Sequence, residues 1–234
     1  MKQSLIYFTS SLLLSGLLLL AEGQRALAGD IKLEGEVTFM SDRIFRGLSR
    51  TGGNVAGSGI LDLVHTNGFY AGVFVANFSD SFGHDVETDF YIGYTTSSGA
   101  YDFNFALSYD SFHGGGDSTG YFEFRGSVAR DFGLAYLTAG FAVTPDKREF
   151  GGGRSIYTYM GAEIPLPFPS LPPMSIDLNV GYEDFAGGFN KWDWSAGLFV
   201  DYKGLEWGIR YKETNLKGVP GSGAKALVTI RKYF

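Results

Sequence analysis

The chain contains no cysteine among its 234 residues. Disulfide frameworks, thiolate zinc sites and thiol nucleophiles are therefore excluded. Basic residues are in the minority, with 19 Lys and Arg against 25 Asp and Glu, and an acidic chain of this kind is a poor partner for nucleic acid. Histidine is scarce, at three residues. Long apolar runs are missing too: beyond residue 28 no stretch approaches the roughly 20 apolar residues that a spanning helix needs. If the mature chain sits in a membrane, it must cross as a closed β-barrel, because only closure pairs every backbone N–H and C=O in lipid.

The amino terminus carries a leader. Met1-Lys2 supplies a short positive region and Leu12 to Leu20, interrupted by Ser15 and Gly16, a compact apolar one. Ala26-Leu27-Ala28 follows as a small-x-small cleavage pattern. This predicts a Sec-type signal peptide over residues 1–28 and a mature chain, residues 29–234, beginning at Gly29. An uncleaved anchor is the alternative, and the short apolar core argues against it. Losing Lys2, Arg25 and Glu22 from the 19 basic and 25 acidic residues leaves 17 and 24, so the mature chain stays acidic.

What is abundant is glycine, at 34 residues, and aromatic side chains, at 16%, in a chain whose mean hydropathy is zero. Tight turns, aromatic girdles and two-faced strands together give this balance in a transmembrane barrel. The alternation is visible directly. In the terminal run Ala226, Val228, Ile230 and Phe234 fall on one face, with Lys225, Thr229 and Arg231 on the other. Twelve such strands are predicted, at 31–41, 56–66, 69–78, 86–96, 100–110, 119–130, 134–144, 154–164, 174–184, 193–202, 205–213 and 224–234. Short connections at Asn67-Gly68 (a type I′ hairpin signal), Ser97-Ser98-Gly99, Asp131-Phe132-Gly133 and Lys203-Gly204 alternate with long ones at 42–55, 79–85, 111–118, 145–153, 185–192 and 214–223. The link from the eighth strand to the ninth is an extended proline run, Pro165–Pro173, read as a stiff turn rather than a polyproline ligand. The expectation is an all-β fold, an antiparallel up-and-down outer-membrane barrel with tight periplasmic turns, large outer loops and both termini in the periplasm.

The two faces follow from the period. Tyr101, Phe103, Phe105, Leu107 and Tyr109 should meet lipid, as should Ile176, Leu178, Val180 and Tyr182, Trp194, Leu198 and Tyr202, and Leu205, Trp207, Ile209 and Tyr211. The third strand, Phe69 to Phe78, is apolar on both faces and its facing stays open.

Residues 42–78 carry a recognisable pattern: Phe45-Arg46-Gly47-Leu48-Ser49-Arg50-Thr51-Gly52-Gly53, then Gly59-Ile60-Leu61-Asp62-Leu63-Val64-His65-Thr66-Asn67-Gly68-Phe69-Tyr70-Ala71-Gly72. This resembles the opening signature of the TorF family of porins. Glu87-Thr88-Asp89-Phe90-Tyr91-Ile92-Gly93-Tyr94 is similar to that family's next motif, and Trp194-Ser195-Ala196-Gly197-Leu198 and the terminal Tyr233-Phe234 to its ending. The stretch 141–154, with Gly151-Gly152-Gly153, departs from the pattern. The resemblance implies an outer-membrane location and architecture more firmly than a substrate. It further implies that the terminal Phe234 is the element read by the barrel assembly machinery.

Chemistry beyond a channel finds little support. An acyl hydrolase on the barrel wall needs a His beside a Ser. His65, His84 and His113 read as solvated turn or loop residues without a close strand-borne serine. The glycine runs lack a following Lys-Ser/Thr, so phosphate cradling is a weak reading. Asp80 and Asp85 lack calcium-loop spacing, and no cofactor is expected. What remains is the lumen. Alternation assigns it Asp62, Asp89, Asp102, Glu123, Asp177, Asp193 and Asp201 with Arg125, Arg210 and Arg231 as pore-lining candidates. Glu34, Glu36, Glu87, Glu163, Glu183 and Glu206 join the acids; Lys32, Lys212 and Lys225 join the bases. The bases concentrate on the last two strands and the first, so a wall of bases facing acids is expected, with a net bias toward cations. The sequence thus favours a non-enzymatic, weakly cation-preferring channel for small hydrophilic solutes or ions, embedded in outer-membrane lipids. The alternatives are a structural or adhesive barrel whose lumen is filled by paired charges and, third, a lipid hydrolase.

Overall fold

A computed structural model of the chain describes residues 25–28, 30–80, 83–115, 119–147 and 152–234. The leader expected over 1–28 lies outside them, except for Arg25–Ala28, a short strand β1 that pairs antiparallel with the start of β2 (Ile31–Met40). The predicted first mature residue, Gly29, also lies outside the described residues.

All twelve predicted strands are present. After β2 come β5 (Ala56–His65), β6 (Phe69–Asn77), β7 (His84–Ser98), β8 (Tyr101–Gly114), β9 (Thr119–Asp131) and β10 (Tyr136–Thr144). They continue with β11 (Ser155–Pro165), β12 (Met174–Phe185), β13 (Phe189–Tyr202), β14 (Leu205–Thr214) and β15 (Lys225–Tyr233). Each pairs antiparallel with the next, and β2 pairs with both β5 and β15. The sheet therefore closes into a twelve-stranded antiparallel barrel without a free edge, the arrangement that leaves no ladder N–H or C=O unpaired. Two further short strands, β3 (Ile44–Phe45) and β4 (Leu48–Ser49), form a separate hairpin in the first long connection.

The turns obey their local chemistry. Lys203 (φ 53°) and Gly204 (φ 73°) both adopt left-handed backbone, so the type I′ hairpin turn belongs here. The Asn67-Gly68 connection differs from expectation. Only Gly68 is left-handed (φ 100°), and its N–H donates to the His65 carbonyl at 2.9 Å. That is a three-residue loop ending in a glycine bulge, the next commonest hairpin solution.

Outward positions form an apolar band: Phe90, Ile92, Met160 and Ile209 are each about 60% exposed. Exposed aromatics stand near the strand ends, with Phe69, Tyr101, Tyr202 and Phe234 beside the short turns and Phe122, Phe189 and Trp192 toward the long loops. This is the outer surface of a membrane barrel, apolar with aromatic girdles. The third barrel strand resolves the same way. Phe74, Ala76 and Phe78 are buried on its inner side, while Phe69 and Val75 are exposed outside. Its inner side is apolar because it has apolar partners: Phe74 packs with Ile60 and Tyr91, and Phe78 with Phe112 and Tyr121.

Candidate functional site

The first long connection turns inward. Ile44, Phe45 and Leu48 are each at most 6% exposed, and Arg43, Arg46 and Arg50 are buried with them. Three apolar residues in eight would be costly in water, and the segment folds inward, with Arg43 over the Phe74 ring and Arg50 over that of Phe78 on the inner side of the third barrel strand, at 5.1 and 5.4 Å. Its tip, Arg46-Gly47, is a hairpin turn with both residues left-handed (φ 46° and 79°). An arginine in that conformation costs about 1–2 kcal/mol, so other contacts must hold it there.

Those contacts span the lumen. Arg46 reaches Glu123 on β9 through Nη2, at 2.8 and 2.9 Å, and Glu183 on β12 through Nη1, at 3.1 Å. Its guanidinium also lies over Tyr157 and Phe45, at 4.4 and 4.6 Å from the ring centroids. Arg43 pairs with Glu87 on β7 at 2.6 Å. On the opposite wall Lys191 of β13 donates to the Arg46 carbonyl at 2.7 Å, and Lys212 of β14 to that of Ile44 at 3.2 Å. The next outer loops close over the hairpin. Ser49 N–H donates to Gly221 O at 2.9 Å, and Lys147 binds Glu183 at 2.6 Å. Burial alone would lower the pKa of Arg46, but the carboxylates of Glu123 and Glu183 raise it above its ordinary value. Burial lowers that of Lys147, with Glu183 opposing the shift. Lys147, in the connection that follows β10, is thus a buried cation.

All ten lumen residues named from alternation are buried or half-buried on the inner side. Glu123 sits at the centre, bound also by Arg125 (2.7 Å) and Thr144 (2.8 Å), while Arg125 reaches Asp110 at 3.2 Å. Asp89 faces Asp110 across the β7–β8 ladder. Asp62 accepts from Tyr91 at 2.5 Å, and Asp193 from Tyr157 at 3.1 Å. Nearer the short turns, Arg210 pairs with Asp177 at 2.8 Å and Arg231 with Glu206 at 2.7 Å. Asp102 accepts from Ser97 and Tyr136 at 2.6 and 3.3 Å, and Asp201 is half-buried. Phe234 lies on the outer rim, 53% exposed.

Three expectations change. The wall of bases facing acids is interrupted: Arg210 and Arg231 pair with Asp177 and Glu206 beside them. The bases Arg43, Arg46, Lys147 and Lys191 lie outside the set assigned to the lumen, yet they pair most of its upper acids. One histidine is not solvated, whereas His65 is half-buried at its turn and His113 is exposed. His84 is buried with Nδ1 2.6 Å from Asp80, and His113 Nε2 lies 3.1 Å from Ser111 Oγ. That Ser–His contact is poor hydrolase geometry, because the single Ser111 hydroxyl proton is donated to the Thr88 carbonyl at 2.6 Å.

Known proteins bear on the fold. The NanC porin superposes with a TM-score of 0.54 at 9% identity, over 85% of this chain and 97% of its own. OccK3 (OpdO) of Pseudomonas aeruginosa aligns at 11% identity and TM-score 0.47 over 90% of this chain and 67% of its own. OccAB3 of Acinetobacter baumannii aligns at 9% and 0.46, over 89% and 65%. This chain thus spans about two thirds of the length of the two Occ proteins. No curated protein matches. Residues 24–232 match the model of a family described as bacterial proteins of unknown function, Gcw_chp, and the chain belongs to that family.

Proposed function

We propose that the mature chain is an outer-membrane, porin-like channel for small hydrophilic solutes, weakly cation-preferring, with its extracellular half narrowed by the inward hairpin. Export by the Sec route with removal of residues 1–28, recognition of Phe234 by the barrel assembly machinery, and embedding in outer-membrane lipids belong to the same reading. The resemblance of residues 42–94 to the TorF family of porins supports it, as does the likeness of the barrel to the NanC porin.

The observation that carries the proposal is where the lumen is blocked. At the hairpin's level Glu123, Glu183, Lys147 and Lys191 are at most 1% exposed. Toward the short turns Glu34, Asp102, Asp201 and Glu206 are half-buried, beside the buried ion pairs of Arg210 with Asp177 and Arg231 with Glu206. The reading takes the narrowing at the hairpin's level to be a tethered loop, which, held by ion pairs, can leave. The second reading, a surface barrel with an occluded lumen, draws on the same tight burial of Arg43 and Arg46. An enzymatic role gains nothing from the Ser111–His113 geometry.

Selectivity follows from which charges stay uncompensated. The upper acids are paired by the loop bases, so the field is set by half-buried acids at the lower mouth. Reconstituted protein held across a KCl gradient should give a reversal potential of the sign for potassium over chloride. A clear chloride preference would contradict the proposal.

A further inference from the structure

The outer surface near the short turns holds a cation that the channel does not use. Among the described residues, the outward strand positions in that half of the barrel carry two charges, Arg130 on β9 and Lys232 on β15, both basic. The outward acids Asp184 and Glu213 stand toward the long loops instead, where Arg154 meets Asp184 at 3.2 Å. Lys232 donates to the Gly204 carbonyl at 3.0 Å. Arg130 has no carboxylate within ion-pair distance among the described residues. Asp131, next in the chain, alternates to the inner side, and its Oδ1 accepts the Gly133 N–H at 2.6 Å.

The Arg130 side chain is nevertheless held in place. It stands opposite Tyr101 on β8 and Leu137 on β10, both outward and exposed. Its guanidinium lies over the rings of Tyr101 and Phe132, at 5.1 and 4.7 Å from the centroids, and Nη1 donates to the Tyr101 hydroxyl at 3.0 Å. Nε is out of solvent without an acceptor among the described residues, and Nη2 has none there either. An arginine that only carried its charge to water would extend past the rim and hydrate its donors. This one is fixed between two exposed rings with most of its five N–H donors unused. A cation on the lipid face is stabilised by an anion at its own depth, and the anion native to the interface is a lipid phosphate. A guanidinium fork matches phosphate oxygens through parallel charge-assisted hydrogen bonds, and Leu137 beside it offers an apolar wall for the adjoining acyl chain.

We propose that Arg130, clamped by Tyr101 and Phe132, is a seat for the phosphodiester of a glycerophospholipid in the leaflet at the short-turn end of the barrel. The inference rests on the membrane reading and not on conduction. A protein that is monodisperse without detergent would end the membrane reading, whereas the seat is tested by lipid retention in a protein that needs detergent.

Native mass spectrometry of the refolded protein in detergent, titrated with dioleoyl phosphatidylglycerol, reads the seat. The parent protein should retain one lipid at activation energies that strip the rest. Dioleoylglycerol, with the same tails and no phosphate, should not be retained. Arg130→Gln should weaken retention about tenfold, the loss expected for a charge-assisted hydrogen-bonded contact, and Arg130→Lys should fall between. Lys232→Gln, which removes the other outward cation, should retain the lipid as the parent does. Phe132→Leu, in an exposed turn, should give a smaller loss through the clamp alone, and it decides the matter if Arg130→Gln does not refold. Unchanged retention in Arg130→Gln, or in Phe132→Leu where that variant stands alone, would overturn the proposal. Equal loss in Lys232→Gln would do the same, since it marks unspecific attraction between charges. Displacement of the lipid by inorganic phosphate would overturn the lipid assignment in favour of a free-phosphate site.

Discussion

Replacing Arg46 with alanine should release the inward hairpin without unfolding the barrel. The side chain bridges Glu123 and Glu183, on strands three places apart around the wall, and lies over two aromatic rings. Removing one partner of a buried pair typically costs about 3–5 kcal/mol, because the other charge is left buried. Here the cost falls near the lower end, since Glu123 keeps Arg125 and Glu183 keeps Lys147 and Lys191. The left-handed strain at position 46 remains, now without the contacts that offset it. A loss of about 3 kcal/mol shifts the balance between inserted and displaced loop by more than a hundredfold. The barrel ladders are untouched, so heat-modifiable migration on SDS gels should persist. Trypsin should then cut after Arg43 or Arg50 in the folded variant while sparing the parent protein. Arg46→Lys, which keeps the charge but loses the guanidinium fork, should fall between the two. A variant as resistant as the parent would mean that the hairpin is held by its apolar contacts instead.

Deleting Phe234 should act on assembly far more than on stability. The main chain of Phe234 exchanges both hydrogen bonds with Gly35, at 2.8 and 3.0 Å, extending the seam between the last and first barrel strands by one pair. The ring covers Gly35 so closely that an added Cβ there would lie 2.4 Å from its Cε2. Losing a ring that is already half exposed costs on the order of 1–2 kcal/mol. Refolding into detergent should therefore survive the deletion. In cells, where the terminal residue is expected to be read by the assembly machinery, folded protein in the outer membrane should drop sharply. Gly35→Val, which displaces the ring but keeps the terminal residue, separates the two roles: it should weaken the seam in vitro more than it impairs assembly. Equal insertion of the truncated and intact chains would leave Phe234 as a rim residue only.

The barrel was legible because two media act on every strand. Apolar residues outside and polar ones inside impose a period of two over about ten residues, which local inspection of the sequence can find. The facing of Phe69–Asn77 was not legible, because its inner side is apolar for a tertiary reason: Arg43 of the inward segment lies over Phe74, and Phe78 just beyond the strand meets Arg50 and the Phe112–Tyr121 cluster. The inward hairpin depends on partners 77 and 137 residues away, Glu123 and Glu183, and no local pattern reports them. Two signals did point to it. Ile44, Phe45 and Leu48 are too apolar for a loop in water, and the inner wall assigned from the sequence held far more acids than bases. The His84–Asp80 pair was hidden for a related reason: β7 begins earlier than its alternation showed, which draws His84 out of solvent.

The central claim is that a tethered loop, not the barrel wall, sets the opening of this lumen. Single-channel recording in planar bilayers tests it most directly, comparing the mature chain with one in which residues 43–51 are replaced by a short Gly-Ser linker. The intact chain should show small or infrequent steps, and the shortened chain steps about tenfold larger, in keeping with a lumen cleared along its length. If the shortened chain folds, inserts and still fails to conduct, the wall itself closes the barrel and the channel account is wrong.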